Sequence, residues 1–162
     1  MPCQVAVCGP GECTPEEAAA ARAVGRLLAE RGALVICGGG GGVMAAAAAG
    51  ARAAGGLVIG VRPNATRVGA SPDLSVVLVT GMGEARNAII AGSADAVVVV
   101  GGSWGTLSEI ALARRREDAV VPVVSLGGWR VLDGDGREVP GIDHAPTPEA
   151  AVARALGAGG DG

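Results

Sequence analysis

The sequence predicts an α/β fold: a Rossmann-like, doubly wound, mostly parallel sheet with helices on both faces. Three observations predict it. Short Val-, Ile- and Leu-rich runs alternate with longer helical patterns along the chain, the order that right-handed crossovers turn into a parallel sheet. Those runs are continuously apolar rather than alternating in period two, as strands covered on both faces must be. Glycine clusters follow two of them, at the ends where an open α/β sheet presents its ligand crevice.

The elements follow in order. Gln4 to Cys8, Ala33 to Cys37, Leu57 to Val61, Ser75 to Thr80, Ala96 to Val100 and Val120 to Val124 read as strands. Thr14-Pro15-Glu16-Glu17 supplies a hydroxyl at an N-cap, proline at the first helical position and a carboxylate at the third, so a helix runs from there to about Arg31. Val43 to Ala54, Glu84 to Gly92 and Thr106 to Arg116 read as three more helices, and Thr147-Pro148-Glu149 opens a last one. Trp129 to Val139 carries Asp133-Gly134-Asp135-Gly136, a turn between two short runs that predicts a small hairpin. Residues 1–156 are expected to form one domain, with 157–162 a flexible glycine-rich tail.

Composition narrows the chemistry. At 162 residues, 49% hydrophobic and 18% charged, the chain can bury a core of its own. It has no Phe or Tyr, so that core must be built from small aliphatic side chains. All 13 basic residues are arginine. With no lysine there is no Walker phosphate clamp and no Schiff base, since both need a side-chain primary amine. The net charge is −3, and no arginine-rich tract is interleaved with aromatics, which argues against nucleic acid as a partner. No run of about 20 unbroken apolar residues is present and Met1 leads straight into a strand-like run, so no membrane partner is expected and the expected location is cytoplasmic.

Two segments carry the functional signal. Gly38 to Gly42 follow a strand and precede a helix; five glycines in a row leave the backbone free to curl amide groups around a phosphate, or merely to turn tightly. Gly101-Gly102-Ser103-Trp104-Gly105-Thr106-Leu107-Ser108-Glu109 again joins a strand to a helix, where first-turn amides meet an anion. The candidate phosphate-binding residues are therefore Gly38, Gly39, Gly40 and Gly41 in the first segment, and Gly101, Gly102, Ser103, Gly105 and Thr106 in the second. Glu109 is a candidate for orienting a sugar hydroxyl or stabilising a cation; equally, Thr106 and Glu109 have the spacing of a capping box. Arg86, at a strand-to-helix switch, is a candidate clamp for phosphate or ribose, with Arg62 and Arg67 as weaker candidates. Gly101 to Gly105 also satisfies G-x-S-x-G, but the single histidine, His144, follows Asp143 directly, an order that does not suit a serine hydrolase. Cys3, Cys8, Cys13 and Cys37 form no C-x-x-C pair, so no metal site is expected; Cys8 and Cys37 end consecutive strands and are candidates to face each other, both reduced.

The first-half glycine loop, the arginine after Met82, and G-G-x-x-G-T-x-x-E at Gly101 to Glu109 together resemble the SLOG superfamily, over roughly residues 4 to 156. That superfamily includes the LONELY GUY phosphoribohydrolases and the molybdenum cofactor carrier proteins. The resemblance implies a Rossmann-like homo-oligomer, a dimer or tetramer, that takes a phosphorylated small molecule. It implies that Gly102, Gly105 and Thr106 hold phosphate, and that Arg86 and Glu109 are the catalytic or ribose-contacting pair. In the enzymatic form, the N-glycosidic bond of a nucleoside 5'-monophosphate is hydrolysed with no cofactor required. The alternative is a non-catalytic carrier or sensor, with molybdenum cofactor or a nucleotide as the bound ligand. Three residues separate Met82 from Arg86, where the phosphoribohydrolases have two. Asn87 replaces their following lysine, and Val100 stands where they have proline. These departures point toward the shorter, carrier-like branch. The lysine decarboxylase label common among members is chemically implausible in a lysine-free chain.

Overall fold

A computed structural model of the chain describes residues 1–157. Its elements are β1 (Gln4–Cys8), α1 (Pro15–Glu30), β2 (Leu34–Cys37), α2 (Gly42–Ala53), β3 (Val58–Arg62), β4 (Val76–Val79), a 3-10 turn (Gly83–Arg86), α3 (Asn87–Ser93), β5 (Ala96–Val100), α4 (Trp104–Arg114), β6 (Val123–Leu126), β7 (Asp143–His144) and α5 (Pro148–Gly157). Of the expected tail, Gly157 closes α5 and 158–162 lie outside the described residues.

The strands form one sheet in the order β4-β3-β2-β1-β5-β6-β7, with every neighbouring pair parallel. Both faces are covered, which is why the strands read as unbroken apolar runs. Val98 and Val100 point with Val5, Val7 and Val35 into a core closed by α1, α2 and α5. Val97 and Val99 point the other way, with Ala6 and Ile36, toward Ile90 of α3 and Ile110 of α4. This is the doubly wound α/β arrangement that the alternating pattern predicts.

The caps act as their chemistry requires. Thr14 Oγ1 accepts from the Glu17 amide at 3.1 Å while the Glu17 carboxylate accepts from the Thr14 amide at 3.0 Å, a complete capping box at the start of α1. At α5 the Ala150 amide donates to Thr147 Oγ1 at 3.1 Å. α1 and α2 cross with their backbones in close approach: a Cβ on Gly25 would fall on the Ala47 carbonyl, and one on Gly50 would fall on the Arg22 carbonyl. In a core without Phe or Tyr, small residues at the crossing bring helices close enough to leave no voids.

Four expectations are corrected. The sixth strand begins at Val123, not Val120, because Pro122 has no N–H to enter the ladder; its carbonyl still accepts from the Val97 amide at 2.8 Å. The third helix is a 3-10 turn passing into α3. A seventh strand exists: Asp143–His144 pairs with β6 and is too short and polar to show an apolar pattern. Cys8 and Cys37 do not face each other; the register sets Ala6 opposite Ile36, so the two thiols fall in opposite cores. The expected hairpin is present as a Leu132–Glu138 antiparallel bridge, its turn held by Asp133 Oδ1 accepting from the Asp135 and Arg137 amides.

Candidate functional site

From β1 the chain winds outward through β2 and β3 to β4, then crosses back to β5 on the other side of β1. The winding reverses between β1 and β5, so the loops leaving those two strands part and open a crevice. A cavity of about 200 Å³ lies there, lined by Gly9 and Gly11 after β1, Met44 of α2, the 83–87 segment, and the first two turns of α4.

One wall is the start of α4. Ser103 is its N-cap, with Oγ accepting from the Thr106 amide at 3.2 Å and paired with Thr106 Oγ1 at 2.9 Å. The helix thus begins two residues before the expected Thr106, and the amides of Trp104 and Gly105 are its first-turn donors with no intrahelical acceptor. The capping-box reading of Thr106 and Glu109 is overturned by the same shift. Ser103 does the capping, and Glu109 sits one turn further in, on the buried face of α4.

Glu109 is only 8% exposed, and no ion pair among the described residues includes it. Burial pushes its carboxyl up to about 7 from an ordinary 4.5; a hydrogen bond from the Cys8 thiol and the charge of Arg86 oppose that rise, and Glu84 adds to it. Burial, and then the neighbouring Glu109, hold the Cys8 thiol well above its usual range, so Cys8 remains a neutral donor at physiological pH.

Arg86 forms the other side of the crevice at 9% exposure, with Nη1 donating to the Val61 carbonyl at 2.8 Å. Its guanidinium lies on Gly38, where any Cβ would overlap it and the Met44 sulfur. Beside it, Asn87 Nδ2 donates to Ser108 Oγ at 3.0 Å and reaches Glu84 Oε2 at 3.5 Å. Arg86 Nε and Asn87 Oδ1 are buried and have no protein partner.

The structure therefore brings together Arg86, Glu109, Ser103, Gly105 and Thr106. It does not bring in the glycine run. Gly38, Gly39 and Gly40 are buried beneath Arg86, Met44, Arg62 and Leu74, and Gly41 is the exposed N-cap of α2, outside the cavity lining. Gly42, at φ +59, packs against the backbone carbonyls of Pro10 and Gly11. Gly101 and Gly102 also stand outside the cavity. Gly101 packs on the Glu17 carboxylate, and Gly102 lies under the Trp129 indole, bordering a shallower depression over the Pro10–Thr14 loop. Trp129 meets Trp104 edge to face with centroids 5.1 Å apart, and Trp104 is 77% exposed.

Arg62 stays at the end of β3, donating to Asn64 Oδ1 and the Val68 carbonyl, and does not reach the cavity. His144 lies on β7 with β6 between it and β5, so the G-x-S-x-G match has no histidine beside its serine. Met44 and Cys8 are site residues that the sequence did not single out for binding, while Gly9, Gly11, Glu84 and Asn87 fall in the segments after β1 and β4, at the sheet edge where the sequence places its ligand crevice.

An all-parallel doubly wound sheet with a polar crevice at its switch point, flanked by G-G-x-x-G-T-x-x-E, defines a Rossmann-like protein of the SLOG superfamily. More narrowly, residues 2–150 match the SLOG cluster4 family, and the chain belongs to that family. It is 43% identical to an uncharacterized protein of Archaeoglobus fulgidus over 133 residues, 80% of this chain and 87% of that one. Among solved structures it resembles the molybdenum cofactor binding protein of Rippkaea orientalis, with TM-score 0.82, 33% identity and 94% of each chain covered. It also resembles the molybdenum cofactor carrier protein of Chlamydomonas reinhardtii, with TM-score 0.78, 32% identity, 93% of this chain covered and 94% of that one. Among the described residues no helix is long and apolar enough to cross a membrane, and no group of His, Cys, Asp and Glu is placed to hold a metal ion.

Proposed function

We propose that this chain binds a phosphorylated organic ligand of the molybdenum cofactor type in the crevice between β1 and β5 and carries it chemically unchanged. The observation that carries this reading is the convergence of buried Arg86 and Asn87, each with an unpartnered polar atom, with Gly105 in the first turn of α4, its amide uncapped, on one cavity. Such groups are costly to bury empty-handed and gain most from a ligand. The likeness to two molybdenum cofactor proteins over nearly the whole chain supports the choice of cargo. The phosphate takes the amides of Trp104 and Gly105, where the helix dipole favours an anion. A cavity of about 200 Å³ is smaller than the roughly 300–1,000 Å³ of pockets that enclose a whole ligand, so the rest of the cargo lies over the Pro10–Thr14 loop. The test is retention. The purified chain is mixed with molybdenum cofactor released from a denatured molybdoenzyme and then gel-filtered. Pterin and molybdenum are expected to coelute with it, and to be lost from Arg86→Ala. Cofactor eluting apart from the wild-type chain would refute the assignment.

One observation favours a catalytic second reading. A buried carboxyl titrating near neutrality is suited to protonating a leaving group, and in this reading Glu109 assists cleavage of an N-glycosidic bond. Free base released from AMP, CMP or GMP by the wild type and not by Glu109→Ala supports it; no release from any of the three ends it.

A further inference from the structure

We infer that the floor of the crevice reads a hydrogen-bond donor on the ligand, with Asn87 Oδ1 as its acceptor, so that the ligand is a phosphate ester bearing a hydroxyl group rather than a bare anion. The inference rests on the reading above that the crevice takes a phosphorylated molecule. The hydrogen-bond chain around Asn87 fixes which way its amide faces. Ser108 Oγ donates its single proton to the Gly105 carbonyl at 2.7 Å, so toward Asn87 it can only accept. Glu84 Oε2 is likewise an acceptor. Both demand the amide nitrogen, and the oxygen is left over. Asn87 is 3% exposed, it lines the cavity, and nothing in the protein satisfies Oδ1.

The adjacent residue supplies the complementary orphan. Arg86 Nε is a buried donor without an acceptor, on a side chain whose Nη1 is committed to the Val61 carbonyl. A hydroxyl group is both donor and acceptor, so one ligand hydroxyl can satisfy Arg86 Nε and Asn87 Oδ1 together. A phosphate dianion cannot, because it only accepts. At the floor it would also meet the carboxyls of Glu84 and Glu109 with a single guanidinium in compensation. The charged end therefore belongs at the start of α4 and the neutral, donor-bearing part on the floor.

Titration calorimetry of the full chain with AMP, 2',3'-dideoxy-AMP and inorganic phosphate tests this. The wild type is expected to bind AMP about 100-fold more tightly than the dideoxy compound, the loss expected for two buried hydrogen bonds. Asn87→Leu, of similar size and with no acceptor, is expected to cut that preference to about tenfold, the part that Arg86 Nε still holds. Equal wild-type affinities would overturn the inference and leave phosphate binding standing. An AMP preference undiminished in Asn87→Leu would remove Asn87 from the role. If none of the three compounds binds, this inference fails, and the reading beneath it is decided by the cofactor-retention experiment. The wild-type comparison stands whether or not the variant folds.

Discussion

Glu109 illustrates how far a residue's surroundings outweigh its identity. In G-G-x-x-G-T-x-x-E the carboxylate is equally legible as a cap or as a catalyst, because spacing specifies only which turn it occupies. Burial decides, and it raises the carboxyl to about 7. Between the ordinary 4.5 and about 7 the folded chain holds a proton that the unfolded chain has released. Stability therefore falls as pH rises through that window and is level above it. The penalty at pH 8 is on the order of 3 kcal/mol. Glu109→Gln is expected to flatten that slope, matching the wild type near pH 4.5 and exceeding its stability at pH 8. Urea denaturation across the range checks this, and parallel pH profiles would refute it. Arg86 was legible as a candidate because an arginine at a strand-to-helix switch is poised for an anion. Asn87 stood out only as the residue in place of a lysine. Its unpartnered oxygen depends on Ser108 and Gly105, which no local pattern connects to it.

At the scale of elements, the helix starts were legible because caps are local chemistry: Thr14-Pro15 and Thr147-Pro148 name their own positions. The start of α4 was not, since Ser103 and Thr106 are both hydroxyl residues and only the backbone path shows which one caps. The α1–α2 crossing was equally hidden. Glycine within a helix costs about 1 kcal/mol relative to alanine, so Gly25 and Gly50 read as weaknesses. Their purpose appears only when each is seen against the other helix's carbonyls. Gly50→Ala is accordingly expected to destabilise the fold by about 1–3 kcal/mol through overpacking, despite alanine's better helix propensity. Thermal unfolding measures it, and a rise in Tm would show that the helices separate without cost. The β6 and β7 corrections have one source: strand ends are set by which N–H groups find partners, and apolar runs do not report that.

The whole molecule supplies the crevice. β1 and β5 are far apart in the chain and adjacent in the sheet, and the divergence of their following loops is a property of topology. A site formed this way exists only in the folded state, so a phosphorylated ligand stabilises the entire fold by mass action. At 100 times Kd, the gain is about 2.7 kcal/mol. A concentration-dependent rise in Tm with a phosphate monoester is expected, and should be abolished by Arg86→Ala; an identical shift in that variant would place the binding elsewhere.

The amino-acid sequence alone determined the α/β class and the helix starts at Thr14 and Thr147, while the pairing of Arg86 and Glu109 as site candidates was implied by the resemblance to the SLOG superfamily. The class and the helix starts follow from hydrophobic period and capping chemistry, which act over a few residues. Tertiary structure alone decided that Gly38 lies beneath Arg86, and Gly39 and Gly40 beneath Arg62, instead of lining the crevice, that Glu109 is buried, and that Asn87 Oδ1 is left without a partner. Each of these depends on what lies across the sheet, because close packing and desolvation act through space between residues that the chain itself keeps far apart.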